Sequence, residues 1–371
     1  MIRANEYNPQ SVLHPGIDLA EKLEELGMGV KEFAIRTDKP EKTIIAVMKG
    51  DSAITPDMAV QFEQVLKIPA HFWLNRQRQY DESIARTRQN DQMKRAEEWA
   101  RSFPLKDMVR LKWLAPFTTK TEAVKSLFVF FEISNQAAWE SVYLHSELKL
   151  HFRISLAHTK NPHAISAWLR RGEIQASEIK AEPYSEKAFK NALPEVKNVM
   201  AKHPDDFFTR LKALCFKAGV KVVHTPCLPK APISGATRWL NDTPLIQLTG
   251  RYKRNDSFWF TFFHEAGHIL LHGKKDIFLE SVEYSDKDKV KEKEADLFAQ
   301  EWVLSSAEKK QIVEQAKTTG MLTVQDVIKF AECFNTHPAA IIGQLQHDKL
   351  IPYSVGRTFI EPVELDENGD C

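Results

Sequence analysis

Between His14 and Tyr80 the apolar positions fall into short helical stripes, each soon cut off. Ile17, Leu19, Leu23 and Leu26 form the first, stopped by Gly27 and Gly29. Val30 to Thr37 reads as a second short helix with Phe33 and Ala34 inward, and Asp38-Lys39-Pro40 as a turn whose proline begins the next helix. A third helix is predicted over Glu41–Lys49, ending at Gly50. Thr55-Pro56-Asp57 starts a fourth, with Met58, Ala59, Phe62, Val65 and Leu66 on its apolar side. A short helix, a tight turn and another short helix make the helix-turn-helix plan. Residues 82 to 210 read as mostly helical. Arg86 to Asn90 and Lys94-Arg95 lie on a charged connecting helix, Leu127 to Phe131 is a core segment, and Trp139, Trp168 and Phe189 are packing residues. His145, His151, His158 and His163 lack paired ligand spacing and are expected to be solvated or satisfied.

The pattern changes after Phe207. Phe208, Leu211, Leu214 and Cys215 make a helix that ends at Gly219, and Val220 to His224 then reads as a strand. Ile233 to Leu240 and Pro244 to Leu248 are a second and third strand around a turn at Asn241-Asp242, giving a small antiparallel sheet. One edge of that sheet is the expected substrate cleft, able to take an extended peptide by strand addition. Further helices are predicted over Val324–Phe334 and Ala339–Leu345 as a closing cap. The fold class is therefore mainly α with a small sheet (α+β).

Directly after the strands comes His264-Glu265-Ala266-Gly267-His268, an HExxH pattern. Residues four apart share one face of a helix, so both imidazoles can reach a single tetrahedral metal. Glu265 between them can take the proton of an attacking water. The flanks, Phe258 to Phe263 and Ile269 to Leu271, are apolar enough for a buried helix, which has little reason to carry His and Glu unless they are paired or bind metal. Lys291 to Ala299 follows at a distance that lets a second helix pack alongside. On it, Glu292 can supply the third ligand while Asp296, one turn on, orients a ligating imidazole. Glu294 is the rival for the ligand role; the Asp four residues after Glu292 favours Glu292. His272 lies four residues beyond His268, not the six of a metzincin, and is expected to cap or pack the helix end before Gly273.

Length and composition add limits. A chain of 371 residues exceeds one average domain. Four parts are expected: a helix-turn-helix domain over 1–80, a helical linker or middle region over 81–204, a zincin-like metallopeptidase domain over 205–350, and a partly disordered tail over 351–371. The 43% apolar and 27% charged content is ordinary for a soluble globular protein. No apolar run approaches the roughly 20 residues of a membrane span, and Met1 to Glu6 begins no signal peptide, so a cytoplasmic protein without a membrane partner is expected. Cys215, Cys227, Cys333 and Cys371 show no CxxC spacing, and reduced thiols are expected. A net charge of +1 excludes a broadly basic nucleic-acid coat but leaves room for one docked helix.

Two resemblances sharpen this reading. His14-Pro15-Gly16, Gly50, Ile54-Thr55-Pro56-Asp57-Met58-Ala59, Phe72-Trp73-Leu74 and Tyr80-Asp81 resemble the XRE-type DNA-binding domain of HigA-family antitoxins. The resemblance implies that the third helix enters the major groove, presenting Glu41, Lys42, Ile45, Ala46 and Lys49. Lys42 and Lys49 would touch phosphate or guanine, Ile45 and Ala46 only thymine methyls. A homodimer is expected if the domain reads a palindromic site. Residues 205 to 310 are similar to the ImmA/IrrE family of zinc metallopeptidases, through Ile233-Ser234-Gly235, Phe260 to His272 and Glu292 to Ala299. The ExxxD spacing after HExxH also resembles thermolysin-like, gluzincin-type enzymes. These likenesses imply a Zn2+ held by His264, His268 and Glu292, catalysis by Glu265, and a narrow protein substrate such as a repressor or toxin encoded nearby. Tyr252, Tyr284 and His272 are weak candidates for a second oxyanion donor. The alternative is a DNA-binding antitoxin or autorepressor in which the peptidase fold is a scaffold.

Overall fold

The computed structural model describes residues 12–145, 160–275, 278–279, 286–319, 322–363 and 365. The chain divides into two compact units, Met1–Arg95 and Ala96–Cys371. Both are mainly helical, with one small sheet in the second.

The first unit is built from α1 (Pro15–Glu25), α2 (Val30–Arg36), α3 (Glu41–Met48), α4 (Pro56–Leu66) and α5 (Ala70–Arg95). Local signals set the boundaries. The His14 ring accepts a hydrogen bond from the Gly16 amide at 3.0 Å and caps α1, and the Thr55 hydroxyl accepts from the Met58 amide and caps α4. Leu19, Leu23, Phe33, Ala34, Ile44, Val47, Met58, Ala59, Phe62 and Leu66 close on Trp73 of α5, which is fully buried. Each of the large side chains contributes about 1.5–3 kcal/mol by leaving water. Gln77 accepts from the Ile54 amide at 2.9 Å and donates to Asp81 at 3.0 Å, while Tyr80 packs edge-on against His14. The first stripe is narrower than expected. Ile17 and Leu26 are 38% and 47% exposed, because only Leu19 and Leu23 meet the other helices. The helix α5 also runs on through Tyr80, the expected domain end, to Arg95.

The second unit opens with α6 (Glu97–Arg101), α7 (Leu105–Arg110), α8 (Lys120–Phe131), α9 (Gln136–Trp139), α10 (Pro162–Ser177), α11 (Glu186–Lys202) and α12 (Phe207–Lys217). Trp139, Trp168 and Phe189 are buried as expected, and of the Leu127–Phe131 run only Val129 faces out. His163 stacks on Trp139 at 4.6 Å and His145 is exposed, while His151 and His158 lie outside the described residues. The strands β1 (Lys221–His224), β2 (Gly235–Leu240) and β3 (Thr243–Leu248) fall where predicted, with a short β4 (Phe278–Leu279).

The sheet is mixed, not antiparallel. Its order is β1-β3-β2-β4, and β3 inserts beside β1 in parallel register while pairing antiparallel with β2. Its two faces differ. Val222, Trp239, Ile246 and Leu248 join the main core with Phe258, Trp259, Phe262 and Phe263 of α13 (Asn255–Gly267). The opposite face carries Arg238 and Gln247, both buried, against α10. Arg238 donates to Glu173 at 2.9 Å, to the Leu169 carbonyl and to Gln247 at 3.1 Å; Gln247 donates to the Trp168 carbonyl at 2.7 Å. The stretch expected as a linker thus supplies the second cover of the sheet.

The unit closes with α14 (Asp286–Val303), α15 (Ser306–Thr319), α16 (Val324–Phe334) and α17 (Pro338–His347). Beyond them, part of the chain packs back on the core. Val363 and Leu365 are buried in the main core, and the Val363 amide donates to the Lys253 carbonyl. Residues 366–371, with Cys371, lie outside the described residues. Cys215 and Cys333 are free thiols, but Cys227 is disulfide-bonded, against the expectation of reduced cysteines throughout. No described helix is long and apolar enough to cross a membrane.

Candidate metal centre

The helix α13 is buried along almost its whole length, so its few polar side chains stand out. His264 and Glu265 lie in its last turn, 5% and 0% exposed, and His268 follows at 0%. There the backbone widens into a π-helical turn, His268–His272. Such turns are rare and recur at functional sites. The helix α14 packs closely along α13 because the position between Glu265 and His268 includes Gly267, where a Cβ would meet the Phe298 ring at 3.1 Å. That approach carries Glu292 to the two histidines.

Three potential ligand atoms converge. His264 Nε2 and His268 Nε2 stand 2.9 Å apart, and the Glu292 carboxylate places Oε2 3.3 Å from the first and Oε1 3.5 Å from the second. Tetrahedral ligands about 2.0–2.1 Å from one zinc stand about 3.3 Å from each other, so two imidazole nitrogens and a carboxylate at these separations fit a divalent cation. His264 Nδ1 donates to Asp296 Oδ1 at 2.9 Å, which leaves Nε2 able to ligate a metal. Burial drives both histidines toward neutrality. At His264 the hydrogen bonds to Asp296 and Glu292 and the nearby carboxylate charges overcome it, and the pKa is pushed up to about 10. His268, facing the positive charge of His264 as well as burial, falls well below the usual range.

Glu265 backs onto the start of β2. A Cβ at Gly235 would lie 2.6 Å from Glu265 Oε1 and 2.6 Å from Thr261 Cγ2, so only glycine leaves the carboxylate its place. The Thr237 hydroxyl donates to the Glu265 carbonyl at 2.9 Å and ties the same strand to the helix. On the outer side of β2, Ala236 and Thr237 pair with β4, so this part of the strand is not a free edge. A cleft of about 280 Å³ runs along the amino-terminal half of α13, between it, α14 and α17, lined by Phe260, Thr261, Asp296, Gln300, Val303 and Gly343. Tyr252 lines it too; Tyr284 lies outside the described residues.

The structure therefore brings together His264, His268 and Glu292, with Asp296 on His264. Glu294, the rival ligand, points elsewhere: its Oε2 is 2.9 Å from His272 Nε2, and His272 Nδ1 is 3.0 Å from His268 Nδ1. His272 is thus part of the cluster's surroundings and not a helix cap. Sequence reading missed this connection, and the only signal for it was the His-x3-His-x3-His spacing itself. In the first unit, Glu41, Lys42 and Ile45 are exposed on α3, Lys49 is exposed at its C-cap and Ala46 is half-buried, so the expected outward face is outward.

Residues 215–336 match the model of the IrrE N-terminal-like domain. A stretch of 63 residues is 33% identical to the HTH-type transcriptional regulator YddM of Escherichia coli K12, covering 17% of this chain and 67% of that protein. Another match, 36% identical over 69 residues, is to virulence-associated protein A of Dichelobacter nodosus, covering 18% of this chain and 68% of that one. Among solved structures, an addiction module antidote protein of the HigA family from Coxiella burnetii is 29% identical, covering 23% of this chain and 92% of that chain, with a TM-score of 0.22.

Proposed function

Since the chain belongs to the family of HTH-type transcriptional regulators that includes YddM, and also carries an IrrE-like peptidase domain, we propose that it is a regulatory zinc-dependent endopeptidase with a DNA-binding domain. The carrying observation is the convergence of buried His264 and His268 with Glu292 of α14, with Glu265 between the two histidines in sequence and a cleft that Asp296 lines. His264, His268 and Glu292 would hold zinc, the ion most often bound by two histidines and a glutamate in peptidases. When bound, zinc supplies Lewis-acid polarisation of a peptide carbonyl and makes water more acidic.

The chain's own residues do the rest. Glu265 takes the proton of the attacking water and passes it to the leaving amine. Asp296 accepts from His264 Nδ1 and fixes that imidazole's orientation. The cleft along α13, which Asp296 lines, would hold the substrate segment. The substrate would be one specific partner, such as a repressor or toxin encoded nearby. On α3, Lys42 and Lys49 contact phosphate and Ile45 a thymine methyl, which positions the protein on DNA with modest sequence discrimination. Two copies would be needed to read a palindromic operator.

The test is Glu265→Gln. Co-expressed with the products of neighbouring genes, the wild type should shorten one of them and the variant none, with zinc content and DNA binding unchanged. Cleavage by the variant would refute the assignment of Glu265. A zinc-loaded wild type that shortens nothing would favour the second reading, a HigA-like antitoxin or autorepressor with the peptidase fold as scaffold. The exposed lysines of α3 and the relationship to a transcriptional regulator keep that reading in play.

A further inference from the structure

We propose that His272 and Glu294 are positioning residues for the metal centre, forming a hydrogen-bonded chain that orients His268 as Asp296 orients His264; this rests on the reading of His264, His268 and Glu292 as metal ligands. The distances define the chain. His268 Nδ1 is 3.0 Å from His272 Nδ1, and His272 Nε2 is 2.9 Å from Glu294 Oε2.

The proton positions follow from chemistry. A ligating Nε2 must be unprotonated, so His268 carries its proton on Nδ1 and donates it to His272 Nδ1. The His272 ring nitrogen that accepts is then bare, and its proton sits on Nε2, where Glu294 accepts it. One carboxylate thereby sets the tautomer of two successive imidazoles. His264 reaches its carboxylate directly; His268 does so through an intervening ring because α14 presents Asp296 to the one and Glu294 to the other.

The local backbone supports the assignment. In the π-helical turn His268–His272 the i→i+5 pattern replaces the tighter α-helical one. That turn sets the two rings 5.1 Å apart at an interplanar angle of 50°, compatible with an in-plane N···N contact and not with stacking. The His272 imidazole is only 4% exposed although it lies at the end of the helical segment, whereas Glu294 is 53% exposed. The chain thus runs from the buried ligand to the surface.

Zinc affinity measured by competition with a chromophoric chelator tests this, with apo-protein melting temperature as the folding control. His272→Phe should weaken zinc binding about 10–100-fold. Glu294→Ala, at an exposed position that the fold tolerates, should weaken it by a smaller factor. Glu294→Gln keeps an acceptor for His272 Nε2 and should bind within about twofold of wild type. The double variant His272→Phe/Glu294→Ala should match His272→Phe alone, since Glu294 acts only through His272. Wild-type affinity in both His272→Phe and Glu294→Ala overturns the chain, as does an additive double variant. A wild type that takes up no zinc overturns the metal reading and the chain with it, so the two failures are distinguishable.

Discussion

Replacing Glu173 by Ala should destabilise the second unit by about 3–5 kcal/mol, the usual cost of removing one member of a buried ion pair. Arg238 is 1% exposed and Glu173 17%, with the two 2.9 Å apart. Burial presses the Arg238 pKa down and the Glu173 charge works against it. Among the described residues, without Glu173 the guanidinium keeps only neutral acceptors, the Leu169 carbonyl and Gln247, and its Nε has no hydrogen-bond partner. Arg170 also loses a contact but retains Glu132 at 2.7 Å and the Phe130 carbonyl at 2.9 Å, so most of the cost falls on Arg238. With a urea slope of about 3 kcal/mol/M, the midpoint should fall by roughly 1–1.7 M. Urea titration followed by tryptophan fluorescence reads this directly, because Trp168 lies on the same helix as Glu173. Two variants separate the pair from general loosening. Glu173→Leu/Arg238→Met removes both charges and should recover most of the loss. Glu132→Ala removes an exposed partner of Arg170 and should barely move the midpoint. A Glu173→Ala midpoint within 0.2 M of wild type, a shift of about 0.6 kcal/mol at that slope, would refute the reasoning, as would a double variant weaker than the single one.

Other outcomes follow from the same geometry. Gly235→Ala should lower the peptidase rate about 100-fold with zinc content unchanged, since a methyl 2.6 Å from Glu265 Oε1 displaces the carboxylate; a normal rate would show that Glu265 sits elsewhere. His203 accepts from Trp259 Nε1 at 3.1 Å, and burial, with help from His337, lowers its pKa to about 4. The neutral form is the one the fold holds, so its stabilisation is complete above the unfolded pKa of 6.5 and is lost as pH falls toward 4, by up to roughly 2 kcal/mol at pH 5. Thermal melts of wild type and His203→Phe should therefore diverge in their pH dependence between pH 7.5 and 5; parallel curves would rule this out. Lys42→Ala and Lys49→Ala should each weaken DNA binding alike on all sequences and reduce the salt slope by about 1, and unchanged slopes would remove α3 from the interface.

What could be read from the chain was what is encoded locally. Helix stops and caps in the first unit depend on neighbours a few residues away, as His14 with Gly16 and Thr55 with Met58 show. The candidate metal ligands His264 and His268 share a helical spacing, and Asp296 one turn after Glu292 favours Glu292 over Glu294 as the third. Contacts between distant segments were not legible. Arg238 on a strand reads as a solvent-facing charge, yet its partner Glu173 comes 65 residues earlier. Three strands in succession suggest a meander, but the hairpin of β2 and β3 folds back so that β3 lies against β1.

Those non-local contacts matter to the site because β2 is shared by both halves of the unit. Through Gly235 and Thr237 one face of the strand positions Glu265, and through Arg238 the other face is fixed to α10. Alternate residues of a strand point to opposite faces, so any shift of β2 that breaks the Arg238–Glu173 pair also moves the wall behind Glu265. The helix α10 is therefore as much a support of the candidate site as the helix that bears His264. A fragment beginning at residue 205 would leave the Arg238 guanidinium and the Gln247 amide without α10, and it should fail to fold even though it contains every candidate ligand.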